Sequence, residues 1–253
     1  MPATKNEGAR FQPASDQTLL IYFDGPAEKS RAPRGTGENS ARPRQSRITR
    51  EANEKVRRLL RLLEQEPLNG VRNLHPAYGS LLIKFDALQW RHAELEKILQ
   101  KYLKRLNTVR LPEAREVEIP VCYGGEYGPD LEEVAALHEM TPEKVIELHA
   151  SVPYLVYFVG FVPGFAYLGE LPEALVTPRL GAPRKKVPAG SVGIAGTQTG
   201  VYPFATPGGW RLLGRTPLAM FQADRKGMSL VSIGNKVRFV PISRERFNAL
   251  GNA

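Results

Sequence analysis

The sequence predicts an α+β fold: a small two-layer unit of ββαββα order followed by a compact all-β unit. Three observations carry that reading. Apolar residues recur at helical spacing in two stretches of the first 110 residues, and each stretch follows a pair of strand-like runs. After Ser151 the chain is almost entirely strand-like until Ile242. Within that part, Tyr157 to Pro217 interleaves glycine and proline with short apolar runs: Tyr157–Val159, Val192–Ala195, Val201–Phe204 and Trp210–Leu213. A disordered Gly/Pro tract has no core to fill and lacks such residues.

The elements follow in order. Arg10–Pro13 and Thr18–Phe23 flank the turn residues Ser15-Asp16-Gln17 and read as a hairpin. From Thr49 the period changes, with Ala52, Val56, Leu59, Leu60 and Leu63 on one helical face. Thr49 is the expected N-cap, Glu51 lies in the first turn, and Pro67 to Gly70 end the helix. Val71–Leu74 and Ser80–Phe85 are two further strands. A second amphipathic helix, about Trp90 to Leu106, aligns Leu95, Ile98, Leu99, Tyr102 and Leu106. Two helices on one face of a small sheet satisfy this pattern. Pro112 lies in a stretch poor in apolar residues, so the expected domains are 1–110 and 111–253. Glu116–Cys122 alternates, with Val117, Ile119 and Val121 on one face. Pro129 and Asp130 open a short helix, and Thr141, Pro142 and Glu143 begin another.

Composition bounds the function. In 253 residues, 42% hydrophobic and 24% charged content is ordinary for a globular protein. No apolar run reaches the roughly 18 to 20 residues needed to cross a bilayer, and MPATKNEGARF has no signal-peptide core. Cys122 is the single cysteine, which fits a reducing compartment, and a cytoplasmic location is expected. With nothing nearby to lower its pKa, Cys122 reads as a buried strand residue and not a nucleophile.

The net charge is +9, but residues 27–50 hold seven basic residues against two acidic ones, so five of the nine excess charges fall there. That Pro-, Gly- and Ser-rich basic insertion, at about 27–47, reads as a mobile loop. It lacks the interleaved aromatic residues of a nucleic-acid arm. Deleting Glu28–Ser46 while keeping a short linker is expected to leave the thermal midpoint nearly unchanged. Loop-closure entropy changes by only about 0.6 kcal/mol per doubling of length. A collapsed midpoint would show the loop to be packed.

The familiar catalytic spacings are missing. There is no phosphate loop. Gly190, Gly193 and Gly196 have no helix expected after them, and Ala189–Gly193 lacks the first glycine of a nucleophile elbow. His75, His92, His138 and His149 show no metal-ligand spacing, so no metal is expected. What remains is a polar set among glycines: Arg184, Gln198, Thr199, Tyr202, Arg215 and Thr216. These suit a carboxylate or phosphate contact surface beside closely approachable backbone; they equally suit turn carbonyls in a tightly wound barrel. Phe161, Phe165, Tyr167 and Trp210 read as core or rim, with ligand stacking the alternative, and His149 as an ordinary helix-end residue, with a cleft-facing position the alternative.

At these residues the sequence resembles a known family. GFVPGFAYLGELPEAL, VPAGSVGIAGTQTGVYP and TPGGWRLLGRTP are similar to the family that includes the B subunit of 5-oxoprolinase, KipI and allophanate hydrolase subunit 1. The likeness extends upstream through IPVCYGGEYGPDLEEVA and more weakly through TLLIYF and HPAYGSLLIKFD. It implies that the second unit is a cyclophilin-like β-barrel. It implies a non-autonomous component of an ATP-dependent 5-oxoprolinase, which acts with the C and A subunits to open pyroglutamate to glutamate. A lactam amide is resonance-stabilised, so ATP supplies the activation. The same family also implies two alternatives: inhibition of a sensor histidine kinase, as in KipI, or a role related to urea carboxylase. As substrate- or partner-facing residues the motifs nominate Arg184, Gln198, Thr199, Tyr202, Trp210, Arg215, Phe161, Tyr167 and His149; they nominate no catalytic residue and no ATP site. Two features depart from the family pattern. The basic insertion is longer than usual, and Gln222 and Asn235 stand where acidic residues are common.

Overall fold

A computed structural model describes residues 8–23, 49–224 and 226–251. The basic insertion at 27–47 lies outside them. The chain divides into two compact units, Met1–Pro112 and Glu113–Ala253.

In the first unit, β1 (Ala9–Ser15) pairs with β2 (Thr18–Phe23), and β2 pairs with β4 (Ser80–Phe85), whose other neighbour is β3 (Val71–Pro76). All three ladders are antiparallel. The register sets Leu19 opposite Ile83 and Ile21 opposite Leu81, and all four are fully buried. One face therefore collects the apolar alternates. Helix α1 (Arg50–Gln65) packs on β2, β3 and β4. Thr49 Oγ1 accepts the Ala52 amide at 3.1 Å, so the expected cap is present. Helix α2 is shorter than its periodicity suggests: it spans His92–Leu103, and a separate 3₁₀ turn covers Leu106–Thr108.

The second unit is a closed seven-stranded barrel. Its strands are β5 (Glu116–Tyr123), β6 (Tyr154–Val159), β7 (Ala166–Gly169), β9 (Ser191–Ala195), β10 (Gln198–Val201), β12 (Arg211–Arg215) and β13 (Lys236–Pro241). They run around the wall in the order β10-β7-β6-β13-β5-β12-β9. A separate pair, β8 (Arg184–Val187) and β11 (Thr206–Gly208), stands outside it. The seam that closes the barrel is β13 on β5, a parallel ladder from Lys236↔Glu116 to Pro241↔Val121. Val117, Ile119, Val156, Leu168, Val192, Ile194, Val201, Val237 and Phe239 fill the interior. Helices α3 (Leu131–Leu137) and α4 (Pro142–Ala150) precede β6. The Thr141 cap is as expected, its Oγ1 accepting the Lys144 amide at 3.3 Å. The apolar run Val201–Phe204 is not a strand along its length. The strand lies at Gln198–Val201, and the chain turns away at Pro203. A final helix, α5 (Arg244–Gly251), buries no residue fully, which is why no apolar period announces it. Among the described residues no helix is long and apolar enough to cross a membrane.

Candidate functional site

The Gly-rich segment builds one stretch of barrel wall. Tyr167 pairs with Gly200, Gly200 with Gly193 and Gly193 with Leu212, a row across β7, β10, β9 and β12. Leu168, Thr199 and Ile194 alternate with this row and are buried on the inner side, so the row faces outward. Two adjacent glycines leave the outer sheet surface bare there, and the chain's own aromatic rings fill the space. A Cβ on Gly200 would lie 3.1 Å from Trp210 Cζ3 and 3.3 Å from Phe165 Cζ. On Gly193 it would lie 3.3 Å from Trp210 Cβ and 3.0 Å from the Arg211 carbonyl oxygen. The close approach read from these glycines is thus made by Trp210 and Phe165. Tyr202, Trp210 and Phe165 meet edge to face, with centroids 5.3 to 6.4 Å apart, and all three are buried. Burial pushes the Tyr202 hydroxyl pKa up.

The border of this wall carries the rest of the aromatic set. Tyr167 is half-buried and stacks on Phe158 at 4.3 Å with 12° between the rings; burial raises its pKa too. Gln198 is half-buried opposite Gly169, one row along on the same outer face. Phe161 is 62% exposed and touches Phe165 edge-on at 5.6 Å. The structure therefore brings Phe161, Tyr167, Gln198, Tyr202 and Trp210 to one outer wall. Arg179 adds a cation 6.0 Å from the Trp210 ring.

The other nominated residues lie elsewhere. Arg184 Nη2 is 2.5 Å from Asp130 Oδ1, and Asp130 Oδ2 accepts the Leu212 amide at 2.6 Å. Arg184 Nη1 also donates to the Trp210 carbonyl at 3.4 Å. Its guanidinium is committed to a buried carboxylate that ties the start of α3 to β12. Arg215 pairs with Ser191, whereas Gln198 pairs with Ala195. Four residues of β9 separate these positions, about 13 Å of strand. Arg215 instead lies over the Tyr127 ring at 5.4 Å, and Tyr127 in turn packs on Phe247 of α5 at 4.5 Å. Arg184, Gln198 and Arg215 do not form one constellation. Thr216 is buried, with Oγ1 accepting the Leu218 amide at 3.2 Å.

His149 is inside the barrel unit and fully buried, not at a cleft. Thr199 Oγ1 donates its one proton to the Gly193 carbonyl at 3.0 Å, so toward His149 it can only accept. His149 Nε2–H therefore donates to Thr199 Oγ1 at 2.9 Å, and the Tyr123 hydroxyl donates to Nδ1 at 2.8 Å. The ring stacks on Phe239 at 4.6 Å. Burial holds the imidazole neutral, with its pKa lowered to about 3, and pushes Tyr123 well above its ordinary value. His149 and Thr199 thus pin α4 to β9 and β10. Cys122 is buried in β5, and its thiol pKa is raised by desolvation.

In the first unit a cavity of about 580 Å³ opens among Glu51, Glu54, Lys55, Arg58 and Lys104. Its acids are paired within α1, Glu51 with Lys55 at 2.8 Å and Glu54 with Arg58 at 2.5 Å.

Comparison with known proteins decides the family. Residues 9–231 match the carboxyltransferase domain, subdomain C and D. The chain belongs to that family. Over 217 residues it is 42% identical to the 5-oxoprolinase B subunit of Bacillus subtilis (strain 168), a match covering 80% of this chain and 90% of that one. Over 130 residues it is 59% identical to the 5-oxoprolinase B subunit of Escherichia coli O157:H7, covering 51% of this chain and 60% of that protein. The solved Kluyveromyces lactis urea carboxylase shares the fold, with a TM-score of 0.71 at 16% identity over 98% of this chain and 23% of that one. The family segment spans most of both units, and the outer wall built from Gly193, Gly200 and Trp210 lies inside it. Sequence reasoning missed Asp130 as the partner of Arg184, 54 residues away. It also passed over Phe158, whose only signal was an aromatic residue beside the family motif.

Proposed function

We propose that this chain is the B subunit of an ATP-dependent 5-oxoprolinase. In the cytoplasm it would act with the C and A subunits to convert 5-oxo-L-proline, ATP and water into L-glutamate, ADP and phosphate. One observation carries the reading: 42% identity over 90% of the length of a protein named as the B subunit of 5-oxoprolinase. The geometry supports a subunit in place of a self-sufficient enzyme. Arg184 is committed to Asp130, and the bare glycines are covered by Trp210 and Phe165. The nominated residues therefore do not form a phosphate cradle by themselves. ATP, which supplies the activation that lactam hydrolysis requires, would be held by the assembled complex. The border residues, exposed Phe161 with half-buried Tyr167, Phe158 and Gln198, would complete a shared site.

The test is pyroglutamate-dependent ATP hydrolysis by the purified chain, alone and mixed with its neighbouring subunits. The chain alone is expected to be inactive and the mixture active. Turnover by the rigorously purified chain would overturn the shared site. An inactive mixture, with inhibition of a sensor histidine kinase by the chain alone, would replace the enzyme reading with a regulatory one.

A further inference from the structure

Three loops of the barrel unit meet: residues 160–165 between β6 and β7, 202–205 between β10 and β11, and 216–235 between β12 and β13. Gly164 lies so close to the third loop that a Cβ on it would be 2.7 Å from Phe221 Cβ. Phe204 meets Phe221 edge-on at 5.7 Å, and the Gln222 amide bonds the Met228 carbonyl at 2.8 Å. On these contacting loops Phe161 is 62% exposed, Phe204 40% and Met228 54%. Apolar residues exposed singly need no explanation, but these three lie on loops that converge on Phe221.

The backbone points the same way. Phe161 and Met228 have φ of 73° and 56°, a region that costs energy for any residue with a Cβ. Among the described residues Glu139 is the only other non-glycine residue there. Burial offsets little of that cost: both side chains are more than half exposed, and Phe161 keeps an edge contact with Phe165. Strained backbone positions cluster at functional sites such as ligand clamps and switch regions. The charged border is predominantly basic. Lys185 and Lys186 are exposed on β8, whose Val187 pairs with Thr206 just beyond Phe204. Lys226 is exposed two residues before Met228, with Asp224 the acid on that loop.

We infer that this three-loop patch docks a partner subunit through an apolar socket bordered by carboxylates. The inference rests on the reading of the chain as a 5-oxoprolinase component, since the relatives carry the name of a subunit. Phe161 and Met228 are the anchors, Phe204 widens the contact, and the lysines steer the encounter.

The experiment measures complex formation between the full chain and its co-encoded C and A subunits, by titration calorimetry and co-elution, alongside thermal unfolding. Asparagine tolerates the left-handed backbone better than other residues with a side chain. Phe161→Asn and Met228→Asn are therefore expected to leave the melting temperature unchanged or higher while weakening the complex about 10- to 100-fold each. Phe204→Ser is expected to weaken it less. Lys185→Glu with Lys186→Glu is expected to slow association most at low salt. If the wild-type complex forms and hydrolyses ATP with pyroglutamate, but all three apolar variants bind equally well, the docking surface is overturned and the enzyme reading stands. If no complex forms and the mixture is inactive, both fall. Self-association of the chain that the variants abolish would assign the patch to a second copy. Binding to phosphatidylserine vesicles that they abolish would assign it to a membrane surface. Either result overturns the inference.

Discussion

Asp130→Ala is expected to destabilise the barrel unit by about 3 kcal/mol, lowering its melting temperature by about 6 to 12 °C. The carboxylate is buried and has two partners, Arg184 through Oδ1 and the Leu212 amide through Oδ2. Removing it leaves a strand amide without an acceptor and a half-buried guanidinium without its counter-ion. Arg184 can regain some water, which keeps the cost at the lower end of the range for a broken buried pair. Arg184→Ala is expected to cost at least as much, because it leaves a buried carboxylate with only the Leu212 amide for a partner. Denaturant unfolding at constant slope measures both. If Arg184 serves only this tie, activity per folded complex survives its loss. An unchanged midpoint in Asp130→Ala would mean water replaces both bonds.

The second large effect concerns acid. His149 has a pKa of about 3 in the folded chain, against roughly 6.5 when unfolded. Between those values the unfolded chain binds a proton that the folded chain does not, so falling pH favours unfolding. The contribution is fully present above about pH 6.5 and is lost progressively down to about pH 3. By pH 5 the loss is about 2 kcal/mol. Burial supplies the reason: the ring is fully enclosed, with Phe239 stacked on its face. Urea unfolding at pH 7.5, 6 and 5 should show the wild type losing about 2 kcal/mol more than His149→Gln, since the other titrating groups are common to both chains. Parallel curves would show that His149 is not held neutral in the fold.

What the sequence made legible was local. The Thr49 and Thr141 caps, the alternation of Glu116–Cys122 and the period of α1 each follow from residues within one turn or one strand of each other, and each is present. The ends of α2 were less legible, because Leu106 keeps the helical phase after the helix has stopped. The site was legible only as a set of residue types. Arg184 looks like an anion contact until Asp130 is brought beside it, and nothing within 50 residues of Arg184 announces that pairing. The glycine-rich segment reads as backbone open to a ligand or partner, but at Gly193 and Gly200 the chain's own rings take that space. Which group approaches depends on strand register, and register placed Trp210 and Phe165 over them.

The parallel seam between β5 and β13 has a consequence for synthesis. Lys236 must reach Glu116, so the wall cannot close until about 120 further residues have been made. At 5 to 20 residues per second, β5 waits about 6 to 24 s for that neighbour. Throughout the wait it presents Val117, Ile119 and Val121 on an unpaired edge. The nascent chain is therefore most prone to aggregate in that interval, and a ribosome stalled before residue 236 should yield a chain that chaperones hold but that cannot finish folding.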